Sequence, residues 1–380
     1  MKTEAGRGSR RGGILVALAG AGLLAAALAC GRAGPAGRGP ERADAGDALV
    51  PLLYRMDLYF QRHEREGVAM DWRYRVDPAE ETRQTVVCQL LGYAEIDRVL
   101  PTRRTEREIT DRADFLVRHL DAIRSHTAFD GLLAYGLLAA YEVGGRPRDG
   151  REGVRIAREL GALPPEQCVL NGGLMAALAI AKAARVTGDP ALARRAHGIL
   201  AEVAGEQNED GSFPHWCSGS RDVHYTAWMA MELIHLKRML DDPRIDPMLA
   251  RMSAFLERHV GDDGRTRYED TGPDSTGRRR YAYSRASGCA FDYDTRGWTV
   301  EPAYCALVFD AQRSPRWAPT LKFLLSLERG GTFADQYDHR PPPDDPEYPW
   351  TVADTSVVNM SIIFWALATD LAVRASRART

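Results

Sequence analysis

The chain has 380 residues, 50 of them basic and 52 acidic, for a formal net charge of -2. So even a balance produces no global field, which excludes charge-driven binding of nucleic acid or an anionic membrane as the main activity. With 44% hydrophobic residues there is enough apolar material for one large core or two smaller ones.

Arg7, Arg10 and Arg11 lead into an apolar run from Ile14 to Ala29 that ends at Cys30. A basic start, a short hydrophobic stretch and small residues at the cut site read as a secretory signal over residues 1–29. The run falls short of the ~20 residues a spanning helix needs. Ala27-Leu28-Ala29-Cys30 resembles the lipobox of bacterial lipoproteins, with Ala27 where Leu is usual. That resemblance implies that Cys30 is lipidated and becomes the first residue of a membrane-anchored, exported chain, on the periplasmic or cell-surface side. An ordinary signal peptide followed by an unrelated cysteine is the alternative. Residues 30–47 are rich in Gly, Pro, Ala and Arg and predict a flexible tether, with the globular domain over 48–380. No later segment reads as long and apolar enough to cross a bilayer.

The folded part reads as helix pairs, without a convincing alternating strand run. Thr82 to Val99 pairs with Arg104 to Leu120, and Phe129 to Val143 with a shorter Gly153 to Leu160. Leu174 to Val186 is apolar nearly all round, the pattern of a helix buried on every side. Gly188-Asp189-Pro190 breaks it, and Ala191 to Ala204 follows as an amphipathic helix. The polar turn Gln207 to Phe213 closes that unit. Val223 to Leu240, a break at Asp241-Asp242-Pro243 and an amphipathic Pro247 to Val260 repeat the grammar. A third copy runs from Glu301 to Phe333, and Val357 to Ala375 supplies a last apolar helix. The period of roughly 50 residues marks a repeat architecture in two layers, apolar helices inside and amphipathic ones outside.

Gln207-Asn208-Glu209-Asp210-Gly211-Ser212-Phe213 resembles the Gln-x-x-Asp-Gly-Ser-Trp turn of the terpene cyclase and protein prenyltransferase superfamily. The resemblance implies an all-α fold, an (α/α) toroid of about five to six helical hairpins; an open solenoid is the alternative. In such a ring the N-terminal ends of the inner helices meet at one mouth, where free N–H groups and dipole ends suit anions.

Candidate site residues are therefore sought in the loops before the inner helices. His224 and Tyr225 offer a base and an acid at the start of one such helix. Together with Asn171 and Arg285 they are similar to the residues lining the cleft of α/α-barrel polysaccharide lyases, and Val300 to Cys305 is similar to a Glu-Pro-Tyr stretch there. That similarity implies β-elimination on an anionic polysaccharide. His224 would be the base, Tyr225 or Tyr283 the acid, and Asn171 and Arg285 the carboxylate ligands; Gly172 stands where that family has a His. Trp216, Trp298 and Glu301 complete the expected substrate-binding set. Three other readings stay open. Asp292-Tyr293-Asp294-Thr295 is one Asp short of the class II cyclase motif. Trp216-Cys217-Ser218-Gly219 is similar to a zinc-binding stretch of lanthionine cyclases, with His215, His224 and Cys289 as conceivable co-ligands. A non-catalytic glycan- or protein-binding toroid is the third. The favoured reading needs no metal or cofactor. Among the cysteines, Cys88 and Cys305 are expected as buried free thiols. Cys168, Cys217 and Cys289 are expected on one rim with at most one disulfide, Cys168–Cys217 first.

Overall fold

The structure is a computed structural model that describes residues 47–70, 78–214, 221–266, 269–270, 282–284, 289–291, 298–335, 337 and 355–379. Among these, thirteen helices dominate: α1 Leu49–His63, α2 Pro78–Val99, α3 Arg103–Arg118, α4 Leu120–Ile123, α5 Asp130–Gly144, α6 Pro147–Gly161 and α7 Leu170–Thr187. They continue as α8 Pro190–Gly205, α9 Val223–Lys237, α10 Ile245–Arg258, α11 Val300–Ala311, α12 Trp317–Leu327 and α13 Val357–Arg379. Strands are confined to three short antiparallel pairs: β1 Glu64–Arg65 with β2 Val68–Ala69, β3 Arg221–Asp222 with β4 Glu269–Asp270, and β5 Ala282–Ser284 with β6 Cys289–Phe291.

The wholly apolar helices do line the inside. α2, α5, α7, α9, α11 and α13 pack side by side in that order, and α13 returns against α2, so the inner ring is closed. The outer helices α3, α6, α8, α10 and α12 each back their preceding inner helix. The sixth outer position belongs to α1, which packs on α13. The fold is an all-α toroid of six hairpins, the last of them made from the two ends of the domain.

The repeated turn explains how the hairpins lock. Gly211 has φ +92°, and a Cβ there would lie 2.1 Å from the carbonyl oxygen of Arg251 on the next outer helix. Gly264 and Gly331 repeat the geometry, with a Cβ 2.0 Å from Pro319 O and 2.5 Å from Arg55 O. Only glycine permits both the left-handed backbone and so close an approach. Because Gly331 meets α1 as Gly211 meets α10, the repeat itself identifies α1 as the missing outer helix. Arg55 and Glu328 add an ion pair of 2.9 Å across that closure.

The helix ends follow local sequence. Gly188 caps α7 at φ 69°, and Asp189 caps α8 by accepting the Ala191 N–H at 2.9 Å, with Pro190 in the first turn. α13 requires a correction to the membrane expectation: it is long and apolar enough to span a bilayer by length and composition, but it is buried as an inner-ring helix. Cys88 and Cys305 are buried free thiols, as their apolar surroundings imply. Cys168 corrects the disulfide expectation. It too is a buried free thiol, turned toward the outer helix α8, where Arg195 Nη2 reaches its sulfur at 3.9 Å. Cys217 lies outside the described residues.

Candidate active site at the mouth of the ring

The described N-termini of α7, α9 and α11 are held by the loops before them. Phe213, buried at the end of the polar turn, donates its N–H to Thr226 Oγ1 at 3.1 Å and so pins the first turn of α9. β3 runs directly into α9 and pairs with β4, Arg221 opposite Asp270 and Asp222 opposite Glu269. His224 therefore leaves a strand-to-helix junction braced from two sides. α11 is preceded by Thr299, whose N–H donates to Asp335 O at 2.9 Å. Asp335 Oδ1 in turn accepts from Ser356 N and Oγ, both at 2.9 Å, and Ser356 Oγ accepts the Asn359 N–H of α13 at 3.2 Å. Two neighbouring helix starts are thus tied through one residue, Asp335, its backbone carbonyl holding α11 and its carboxylate α13.

Three of the sequence-predicted residues come together here. Tyr225 donates its hydroxyl to Asn171 Oδ1 at 2.6 Å, linking α9 to α7, and the same oxygen accepts the Gly172 N–H at 2.8 Å. The Asn171 amide nitrogen takes no part in either bond. Tyr225 is only 5% exposed, so it braces the rim from within. His224 keeps 29% of its side chain exposed, and its Nδ1 lies 3.7 Å from Glu301 Oε1 on α11.

Glu301 occupies a different place from the one sequence suggests. It is fully buried, behind the imidazole rather than on the surface of the mouth. Thr266 Oγ1 donates to its Oε2 at 3.3 Å, and Oε1 has no hydrogen-bond partner among the described residues. Burial pushes its carboxyl pKa well above the ordinary range, a shift only partly opposed by Thr266 and the Trp298 backbone. Trp298 is partly buried against the core. Tyr283 lies in β5 and Cys289 in β6, each placed by its backbone. Cys30, His215, Trp216, Cys217, Arg285, Asp292, Tyr293 and Asp294 lie outside the described residues.

Beneath His224 the ring interior carries polar groups outside the expected site set, Glu232 and Tyr304, the latter noted in sequence only as part of the Glu-Pro-Tyr stretch. Tyr304, one turn after Glu301, is fully buried and packs edge-on against His224 and Trp228, with centroids 5.7 and 5.6 Å away. Its hydroxyl has no partner among the described residues. Glu232, one turn after Trp228, accepts the indole N–H at 2.6 Å on Oε1 while Oε2 is likewise unpartnered. Burial raises both groups well above their ordinary pKa values, which favours the protonated carboxyl of Glu232. The signal that could have found them was a carboxylate and a tyrosine inside helices otherwise apolar all round.

No protein-family model and no curated protein matches this sequence. Among solved structures, a glycosyl hydrolase of family 88 from Bacteroides vulgatus is similar at 12% identity and a TM-score of 0.61, covering 87% of this chain and 99% of that one. A cellobiose 2-epimerase from Spirochaeta thermophila is similar at 12% identity and 0.61, over 88% and 99% of the two chains. A polysaccharide lyase follows at 12% identity and 0.57, over 87% and 98%. Likenesses at such identities establish the closed α/α toroid.

Proposed function

We propose that the chain is an exported, lipid-anchored enzyme that acts on an anionic polysaccharide by β-elimination. The observation that carries the reading is the partly exposed His224 at the mouth, next to the Asn171–Tyr225 pair and backed by a buried carboxyl group. The toroid likeness to a glycosyl hydrolase, a polysaccharide lyase and a sugar epimerase supports a glycan as substrate. His224 removes the proton on the carbon beside a uronate carboxylate, and the Asn171 amide holds that carboxylate as negative charge builds on it. The start of α7 adds the positive end of a helix dipole. The departing linkage oxygen takes a proton from a tyrosine hydroxyl, Tyr225 or Tyr283.

The test is to offer uronate-containing polysaccharides to the purified protein and to watch for ultraviolet absorbance from unsaturated chain ends. His224→Ala should cut that rate by about 10²–10⁴-fold, the usual contribution of a positioned base, while the helical circular dichroism is unchanged. An unaltered rate in His224→Ala, or no cleavage of any such polymer, overturns the reading; retention of a polymer without cleavage would point to the binding alternative. Anchoring is tested separately. Cys30→Ala should move the chain out of the membrane fraction or stop its processing, and unchanged fractionation at the same mass refutes the lipid anchor.

A further inference from the structure

Glu301 is an odd residue to find in its place. An acidic side chain in the first turn of a helix is ordinarily explained by the helix dipole, which a solvent-exposed carboxylate serves as well. This one is fully buried, with one oxygen held by Thr266 and the other without a donor among the described residues. Thr266 is itself fixed, since Tyr337 donates its hydroxyl to Thr266 O at 2.8 Å. The unsatisfied oxygen faces His224 Nδ1 at 3.7 Å. Nδ1 is out of solvent although the side chain is 29% exposed, so the exposed part of the ring lies away from Glu301. Tyr304, edge-on at 5.7 Å and 74°, limits rotation of the imidazole about that axis. A small swing of either side chain closes the gap to hydrogen-bond length.

We propose that Glu301 is the positioning residue of this site: its carboxylate accepts Nδ1–H of His224, fixes that tautomer, and leaves Nε2 as the atom that takes the substrate proton. The inference rests on the proposed role of His224 and names what makes it a base. In the transfer, the substrate C–H bond breaks and an Nε2–H bond forms. The electron pair left on carbon becomes the new double bond as the linkage C–O bond breaks, and the leaving oxygen takes its proton from the acid. The His224–Glu301 pair passes from one negative charge to none. Burial favours that change, because it removes charge from a site with little water.

The same burial sets a pH limit. Below the pH at which Glu301 ionises, its proton sits between Oε1 and Nδ1, Nε2 carries hydrogen, and no base faces the mouth. Since burial holds that proton to well above the usual carboxylate range, activity rises with pH as the pair loses it. Titratable groups near the pair among the described residues include Tyr304 and Cys305 on α11, with Glu232 on α9 and Cys88 on α2 beyond Tyr304, and Tyr337 before α13. Burial raises Tyr304, Cys305, Glu232 and Cys88 above their ordinary values, which favours their uncharged forms.

The experiment is ¹⁵N NMR of histidine-labelled full-length protein across pH, with His224 assigned by its loss in His224→Ala, run alongside pH–rate profiles. Above the limit, wild-type His224 should show a protonated Nδ1 and an unprotonated Nε2. Glu301→Gln should leave it titrating as one group near the ordinary histidine value of ~6.5 with Nε2 protonated above it. Turnover in Glu301→Gln should fall by about 10²–10⁴-fold, and the acid limb of the profile should move down toward that value. Glu301→Asp keeps a carboxylate and should retain the elevated limb. An Nε2–H tautomer in the wild type, or a titration unmoved by Glu301→Gln, overturns the proposal. The NMR needs no substrate, so a coupled titration without cleavage of any uronate polymer would sink the glycan reading and keep the pair.

Discussion

The two ends of the ring treat buried polar groups in opposite ways. At the end where the inner helices finish, the buried charges are matched, although Trp365 Nε1 beside His235 has no hydrogen-bond partner among the described residues. Glu95 of α2 accepts from Arg238, just past the end of α9, at 2.7 Å, and His235 of α9 lies 3.2 Å from both Tyr135 of α5 and Thr369 of α13. Lys182 of α7 is paired with Glu142 of α5. Burial alone would push the Glu95 carboxyl up, but Arg238, His235 and Arg98 together bring it down to about 2, so it is ionised. Burial drives His235 down to about 3, so it is neutral and free to bridge two hydroxyls. Glu301 and Tyr304 in the first turns of α11, and Glu232 past the middle of α9, are as deeply buried, yet each keeps an oxygen without a partner among the described residues. A network satisfied on four helices is a clasp. Groups left with proton-transfer capacity beside a partly exposed histidine are the pattern of a working site.

Breaking the clasp should have the largest effect on the fold. Glu95→Ala removes the anion that two arginines and a histidine share, leaving Arg238 and Arg98 facing each other near the core. Removal of one partner from a buried ion pair costs about 3–5 kcal/mol. Because Arg238 is a quarter exposed, the lower end, about 3 kcal/mol, is the value to expect in urea unfolding. A loss below about 1 kcal/mol would show that the end of the ring is held by apolar packing and that the contrast between the two ends is one of geometry only.

How far this contrast is legible in sequence differs by element. Leu174, Val223 and Val357 begin helices whose residues are apolar on all sides, which only an inner layer explains, and those helices are where the periodicity puts them. The break at Gly188-Asp189-Pro190 is equally local and equally readable. α1 went unread although Leu49, Leu52, Leu53, Met56 and Phe60 follow helical spacing and are all buried. Its partner is at the far end of the chain, and a repeat counted forward from residue 82 does not look backward for its last member. The site was read in part for the same reason. His224, Tyr225 and Asn171 sit at helix starts, where turn and capping signals are strong. Glu301 was read as a substrate ligand because its position at a helix start is legible, while its direction, inward behind the imidazole, depends on how α11 is rotated in the ring. Cys168 shows the same limit: its place before α7 is legible, while its burial as a free thiol against Arg195 of α8 depends on packing that the sequence does not display.

The smallest effect sharpens the comparison most, because it turns on sign. Glu232 is as buried as Glu95, but no cation stands beside it among the described residues, and burial keeps its proton on to well above the ordinary 4.5. An unfolded chain gives up that proton near 4.5, so above this pH the folded state binds more protons and the wild type loses stability as pH rises. Glu232→Gln preserves side-chain volume and an oxygen for the Trp228 indole, and it binds no proton in either state. Its stability should therefore match the wild type to within about 1 kcal/mol in acid and equal or exceed it by about pH 8. Glu95→Gln should do the reverse. Its wild-type carboxylate is favoured in the folded state, an advantage present above the unfolded pKa and lost as pH falls toward 2. Paired urea titrations of both variants at two pH values decide the matter. If Glu232→Gln proves weaker than the wild type at alkaline pH by more than about 2 kcal/mol, Glu232 is ionised and bonded in the folded protein, and the two ends of the ring are built alike.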